Sequence, residues 1–90
     1  MISIMTILKQ NKTNDGKIFR LVENTYRDDA VIFDVFGYEY AIQIKFLFFW
    51  ITIKSYNYTF DAEMDSDEVS KEIDYNKFLA EEYYEFIINN

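Results

Sequence analysis

The sequence predicts an α+β fold, an antiparallel meander of four to five strands with a C-terminal amphipathic helix packed on one face. Apolar and polar side chains alternate over residues 38–45 (YEYAIQIK), which is the period of a half-buried strand. After residue 61 the chain becomes acidic, and apolar residues recur at three- and four-residue steps, which is the period of a helix lying on an apolar surface. We therefore expect one domain over residues 1–90, with a β-meander over 1–60 and an acidic capped helix over 61–90.

The strands are predicted from runs of β-branched and aromatic residues separated by turn residues. Asp15-Gly16 tolerates the positive φ of a tight hairpin, so the clearest turn lies between the first two strands. Gly37 separates two strong strand patterns, and we expect a turn or a bulge there. A further bend is expected near Phe46–Leu47. The predicted strands cover residues 2–9, 18–23, 30–36, 38–45 and 48–58.

The helix has recognisable start signals. Asp65 or Ser66 is a good N-cap, and Glu68 stands three residues after Asp65, as in a capping box. The sequence DYN at residues 74–76 is a poor helix former, so one long helix and two short helices are both open. The predicted inward stripe consists of Val69, Ile73, Ala80, Tyr83 and Ile87.

Charge is divided unevenly along the chain. Residues 61–90 hold ten acids and two bases, a net charge of −8, whereas residues 1–60 hold six acids and seven bases, a net charge of +1. The two sum to the −7 of the whole chain. We interpret the helix as a negative surface that docks on a basic groove of a protein partner, the alternative being a solvated face that keeps the protein soluble. The predicted partner-binding residues are Asp65, Asp67, Glu68, Glu81, Glu82 and Glu85.

Composition argues against catalysis and against a cofactor. The chain has no His and no Cys, which removes the ordinary base for activating a hydroxyl and the thiolate nucleophile. The segment Asp61–Glu72 resembles an EF-hand calcium loop in the positions of its acids. However, Ser66 stands where that loop needs Gly, and Glu68 stands where it has an aliphatic residue. We expect a non-enzymatic protein with no cofactor and no metal.

Aromatic residues exceed what one small core readily buries. The chain has 8 Tyr, 9 Phe and one Trp in 90 residues. An exposed aromatic patch on a sheet is typical of self-association or of a protein partner, and no Pro blocks the edge strands. We expect a homodimer with Phe46, Phe48 and Trp50 at its interface. Direct nucleic-acid binding is not expected, because a stacking platform needs a cationic groove and this chain is acidic.

In size and composition the chain is similar to the small acidic accessory proteins that phages make against host enzymes. This resemblance implies an inhibitor or modulator of a host protein, for example a defence or nucleic-acid-processing enzyme with a basic surface. The alternative is a structural or assembly subunit that self-associates through its aromatic sheet face. No apolar run approaches the roughly 20 residues of a spanning helix, so we expect no membrane partner and a cytoplasmic location, in the host cell if phage-encoded.

Overall fold

The computed structural model describes residues 2–28, 35–61 and 63–89. The four strands form one antiparallel sheet in the order β1-β2-β3-β4, and a single helix follows them. This confirms the predicted α+β meander with a C-terminal helix. The elements are β1 (Ile2–Lys12), β2 (Ile18–Asp28), β3 (Val35–Phe46), β4 (Phe49–Asp61) and α1 (Ser66–Ile88).

The predicted break at Gly37 is wrong. β3 runs through this residue without interruption, and Gly37 pairs in register with Tyr26 of β2 and Thr59 of β4. Residues 30–34 of the predicted third strand lie outside the described residues. The bend predicted near Phe46–Leu47 is a two-residue turn, Leu47–Phe48, that joins β3 to β4.

Two irregularities in the strand pairing decide which side chains face the helix. The register of β1 against β2 shifts at Leu8, and the register of β3 against β4 shifts at Ile53. Each shift inserts one extra residue, so the side chains beyond it change faces. Lys9 and Asn11 are thereby turned toward the helix, while Trp50 is turned toward the opposite face.

The hydrophobic core lies between the helix and the two central strands. Ala80 and Tyr84 of α1 are fully buried against β2 and β3, where they meet Phe19, Leu21, Tyr40 and Ile42. The predicted stripe is confirmed, since Val69 and Ala80 are buried and Ile73, Tyr83 and Ile87 are partly buried against the core, but it omitted the fully buried Tyr84.

The helix begins at one of the two predicted N-cap residues. Asp65 is the N-cap, and its carboxylate accepts a hydrogen bond from the backbone N–H of Asp67 at 2.9 Å. There is no break at residues 74–76, since α1 is one continuous helix of 23 residues. The Asn76 side chain donates to the carbonyl of Glu72 at 2.7 Å, which accommodates a weak helix former within the helix.

No helix or strand of the described chain packs on the face of the sheet opposite the helix, although Val22 and Ala41 on this face are buried. We call it the open face. A row of polar contacts crosses it, in which Arg20 Nε donates to Gln43 at 2.7 Å and Gln43 donates to the Thr52 hydroxyl at 3.1 Å. The Arg20 guanidinium also lies 4.1 Å from the centre of the Trp50 ring.

Candidate functional site

The six acids predicted to bind a partner do not form one uniform surface. Asp65 is committed to capping the helix, with Asp67 and Glu68 exposed in the first turn beside it. Glu81 and Glu85 lean toward the sheet, where Lys9 of β1 lies 3.9 Å from the first and 3.1 Å from the second. Glu82 is exposed and points away from the sheet and from Lys9.

The position of Lys9 follows from the shift at Leu8. The last turn of α1 contains no basic residue, although the negative end of a helix dipole favours a cation there. Because the shift turns Lys9 toward the helix, β1 supplies this cation from outside the helix. These ion pairs are more than a third exposed, so each contributes little to stability.

The outward surface of α1 contains large aromatic side chains that the sequence interpretation overlooked. Tyr75, Phe78 and Phe86 are each more than half exposed. Together with Glu82 they stand at i, i+3, i+7 and i+11, so they form one stripe along the helix. We call Tyr75, Phe78, Glu82 and Phe86 the acidic–aromatic face. Phe78, Glu82 and Phe86 also line part of a shallow, open depression, which extends to Lys9 and Tyr56 of the sheet.

The spacing of these aromatic residues was visible in the sequence. Such residues are easily overlooked, because an apolar residue on an amphipathic helix is ordinarily buried. The helix is in fact apolar on two opposite sides. One side packs on the sheet through Ala80 and Tyr84, and the other is exposed to solvent at Phe78 and Phe86.

The inner side of α1 is fixed by a tyrosine. The Tyr84 hydroxyl donates to Asn11 Oδ1 at 2.6 Å, and it lies 3.4 Å from the carbonyl oxygen of Phe19. Burial raises the pKa of this hydroxyl, with a smaller effect from the charge of Glu85. The orientation of the acidic–aromatic face is therefore set by a specific contact as well as by apolar packing.

A second buried tyrosine lies beneath the helix. The Tyr40 hydroxyl donates to the carboxylate of Glu23 at 2.8 Å. Burial raises the pKa of Tyr40, and the hydrogen bond and negative charge of Glu23 raise it further. The pair satisfies the hydrogen-bonding capacity of a buried hydroxyl.

The three predicted interface aromatics do not share a face. Phe46 lies on the helix side of β3, Phe48 lies in the turn, and Trp50 lies on the open face beneath Arg20. The two-residue turn accounts for this, because the alternation of side chains between the two faces does not continue through a turn. Phe46 and Phe48 are instead neighbours at the tip of the β3–β4 hairpin.

The acids of the EF-hand-like segment are used locally. Asp61 ends β4 and accepts from the backbone N–H of Glu63 at 2.9 Å, while Asp65 caps the helix. Glu72 lies within α1. Among the described residues, no three acids are grouped in a way that would hold a metal ion.

No family model, curated protein or solved structure matches the chain. No helix within the described residues is long and apolar enough to cross a membrane.

Proposed function

We propose that this protein acts without catalysis, by docking the acidic–aromatic face on a protein partner whose surface combines a basic rim with an apolar groove. The observation that carries the proposal is the exposed stripe of Tyr75, Phe78 and Phe86 with Glu82 among them. Helices that bind in grooves present anchors at these spacings. Aromatic residues are enriched at the centres of protein interfaces, and charges at the rim guide association.

A basic partner is supported by the charge of the segment. Residues 61–90 have a net charge of −8, and the two bases among them, Lys71 and Lys77, are outnumbered fivefold by acids. The partner class we propose is a host protein with a basic nucleic-acid-binding surface, which a phage or mobile-element inhibitor would occlude. The aromatic anchors supply affinity, while the acids supply steering that salt weakens.

The test is a quantitative capture experiment from host lysate with two single variants. Phe78→Ala removes an anchor, and Glu82→Lys reverses the outward charge without touching the pairs of Lys9. Glu63→Lys is the matched control, because it makes the same charge change in the exposed connection before the helix. We expect both face variants to lose the captured protein and the control to retain it. Equal capture by all four proteins would refute the proposal.

Ionic strength gives an independent check on the same complex. Capture by the wild-type protein should fall as salt rises, since exposed charge pairs are screened over about 8–10 Å at physiological ionic strength. Glu82→Lys should reduce this dependence, whereas Phe78→Ala should leave its slope unchanged. A complex that is insensitive to salt would point to the aromatic anchors alone.

A second candidate function, a self-associating assembly subunit, is favoured by the β1 edge of the sheet. Ile4, Met5 and Ile7 are exposed there, and residues 2–8 carry no charge to discourage pairing with another chain. Two copies joined through β1 would form a continuous sheet and give the homodimer. Light scattering on wild type and on Met5→Lys distinguishes the candidates: a dimer lost in the variant supports assembly, and a wild-type monomer contradicts it.

A further inference from the structure

The tip of the β3–β4 hairpin exposes four consecutive large apolar residues. The exposed fractions are 55% for Phe46, 68% for Leu47, 97% for Phe48 and 53% for Phe49. The rings of Phe46 and Phe49 meet across the turn, with centroids 5.7 Å apart. The tip therefore presents an ordered apolar surface at the end of a hairpin.

The backbone conformation at this tip is also unusual for the residues that occupy it. Leu47 is the first residue of the two-residue turn and has a φ of +57°. Two-residue hairpin turns favour Gly, Asn or Asp at such a position, because a bulky side chain is strained there. Apolar exposure and backbone strain coincide at Leu47, and neither favours folding. Such coincidences are expected at functional sites, where a sequence departs from its own folding rules.

The size of the tip limits what it can bind. Taking about 200 Å² for a fully exposed large apolar residue, the four residues expose on the order of 500 Å². A stable protein interface buries about 800 Å² on each partner. The tip is too small to hold a second copy by itself, and its convex shape suits insertion. Insertion into lipid needs no matching surface, because each apolar side chain gains by leaving water.

The charges around the hairpin favour a lipid surface. Residues 40–60 contain no acid in a chain that has 16, and they contain Lys45 and Lys54. Next to the tip, Lys45 of β3 stands opposite Trp50 of β4 in the strand register. The guanidinium of Arg20 stacks on the same Trp50 ring. Aromatic rings beside cations are typical of the boundary between water and acyl chains, where the headgroups carry phosphate.

We propose that the Phe46–Phe49 tip inserts into the interfacial region of a lipid bilayer and holds the protein at the membrane surface. This goes beyond the proposed function and does not depend on the acidic–aromatic face. It departs from the sequence-based expectation of no membrane partner, which rested on the absence of an apolar run long enough for a spanning helix. A hairpin tip can insert into the interfacial region without a spanning helix.

The acids of α1 do not oppose this arrangement strongly at physiological salt. A helix of 23 residues is about 35 Å long, so its first turn, with Asp67 and Glu68, lies several Debye lengths from its last. The last turn lies near the β1–β2 hairpin, because Tyr84 contacts Asn11 and Phe19. There, Lys9 neutralises part of the charge of Glu81 and Glu85.

The test uses co-sedimentation with vesicles of phosphatidylcholine, alone and with added phosphatidylserine. Trp50 is the only tryptophan, and its emission should shift to the blue on binding because it lies beside the tip. The double variant Leu47→Gly/Phe48→Asn places Gly at the one turn residue with positive φ, so it should fold at least as stably as wild type. We expect it to bind vesicles at least about tenfold more weakly, since two inserted apolar side chains are lost.

Two single variants with the same substitution, Phe48→Asn and Phe78→Asn, provide a matched comparison. Phe48→Asn should weaken binding to vesicles, whereas Phe78→Asn, on the acidic–aromatic face, should leave it within about twofold of wild type. No binding of wild type to either vesicle would overturn the proposal, as would equal losses in the two single variants. Sedimentation without lipid tests the alternative of self-association. An oligomer that is abolished by Leu47→Gly/Phe48→Asn, together with no binding of wild type to vesicles, would assign the tip to protein contact and overturn the proposal.

Discussion

The contact between Tyr26 and Gly37 explains the single glycine within the sheet. The two residues pair across β2 and β3, and the ring of Tyr26 occupies the space that a side chain at residue 37 would need. The φ of Gly37 is not positive, so the requirement for glycine here is steric rather than conformational. An aromatic residue covering a strand glycine also restores some of the packing that the missing side chain gives up.

Gly37→Ala should destabilise the protein by about 1–3 kcal/mol, because the added methyl group displaces the Tyr26 ring. The measurement is urea unfolding followed by circular dichroism. In a Tyr26→Ala background the same change should cost much less, since the obstructing ring is gone. Equal costs in the two backgrounds would contradict the steric explanation.

The buried tyrosines predict a loss of stability at alkaline pH. The folded-state pKa values of Tyr40 and Tyr84 are raised above the unfolded value of 10.0, so the folded state retains these protons more strongly. Their contribution is fully present below pH 10 and is lost as pH rises through the folded-state pKa values. Tyr84→Phe should reduce the fall in urea midpoint above pH 10, and Tyr75→Phe, at an exposed position, should leave it unchanged. Identical alkaline profiles for the two variants would contradict this.

Among the elements, α1 depends on its close approach to the sheet. Ala80 is fully buried where the helix meets Phe19, Leu21, Tyr40 and Ile42, which leaves no room for a larger side chain. Ala80→Leu should therefore cost about 1–3 kcal/mol, although leucine is a good helix former. Glu82→Leu, two residues away and exposed, should change stability by no more than about 0.5 kcal/mol. Thermal unfolding of the two variants tests this. Equal melting temperatures would show that the helix does not approach the sheet most closely at Ala80.

Features that repeat along one helix or strand could be predicted from the sequence, whereas features that depend on how neighbouring strands pair could not. Alternation in residues 38–45 and the cap at Asp65 are local signals, and both were correct. The shift at Leu8 has no local signal, although it brings Lys9 to Glu85. The Gly37 prediction was wrong because a glycine in a turn and a glycine beneath a cross-strand ring look alike in one sequence.

The candidate sites show the same limit. The outward direction of Glu82 follows from helical period, and the sequence predicted it. The exposure of Phe78 and Phe86 depends on which of two apolar sides the sheet covers. That choice is made by the packing of Ala80 and Tyr84, which is a tertiary property.

At the scale of the whole molecule, charge is separated between the sheet and the helix. The helical third has a net charge of −8 and the first 60 residues a net charge of +1. Folding brings the acids of α1 together on one helix. The two ion pairs that Lys9 makes with Glu81 and Glu85, both at least 39% exposed, offset their repulsion only weakly. Repulsion within the helix should therefore exceed the attraction between the helix and Lys9.

The melting temperature should consequently rise as sodium chloride increases from about 0.01 M to about 1 M, over which the Debye length falls from about 30 Å to about 3 Å. Each 1 kcal/mol of relieved repulsion corresponds to about 4–8 °C in a domain of this size. Glu82→Gln should raise the melting temperature at low salt and reduce the rise with salt, because it removes a charge from the outward face without breaking an ion pair. Glu63→Gln, in the connection before the helix, controls for the general effects of salt and of one fewer charge, and it should show a rise close to that of wild type. A melting temperature that falls with salt would mean that the Lys9 pairs outweigh the repulsion, and it would contradict this prediction.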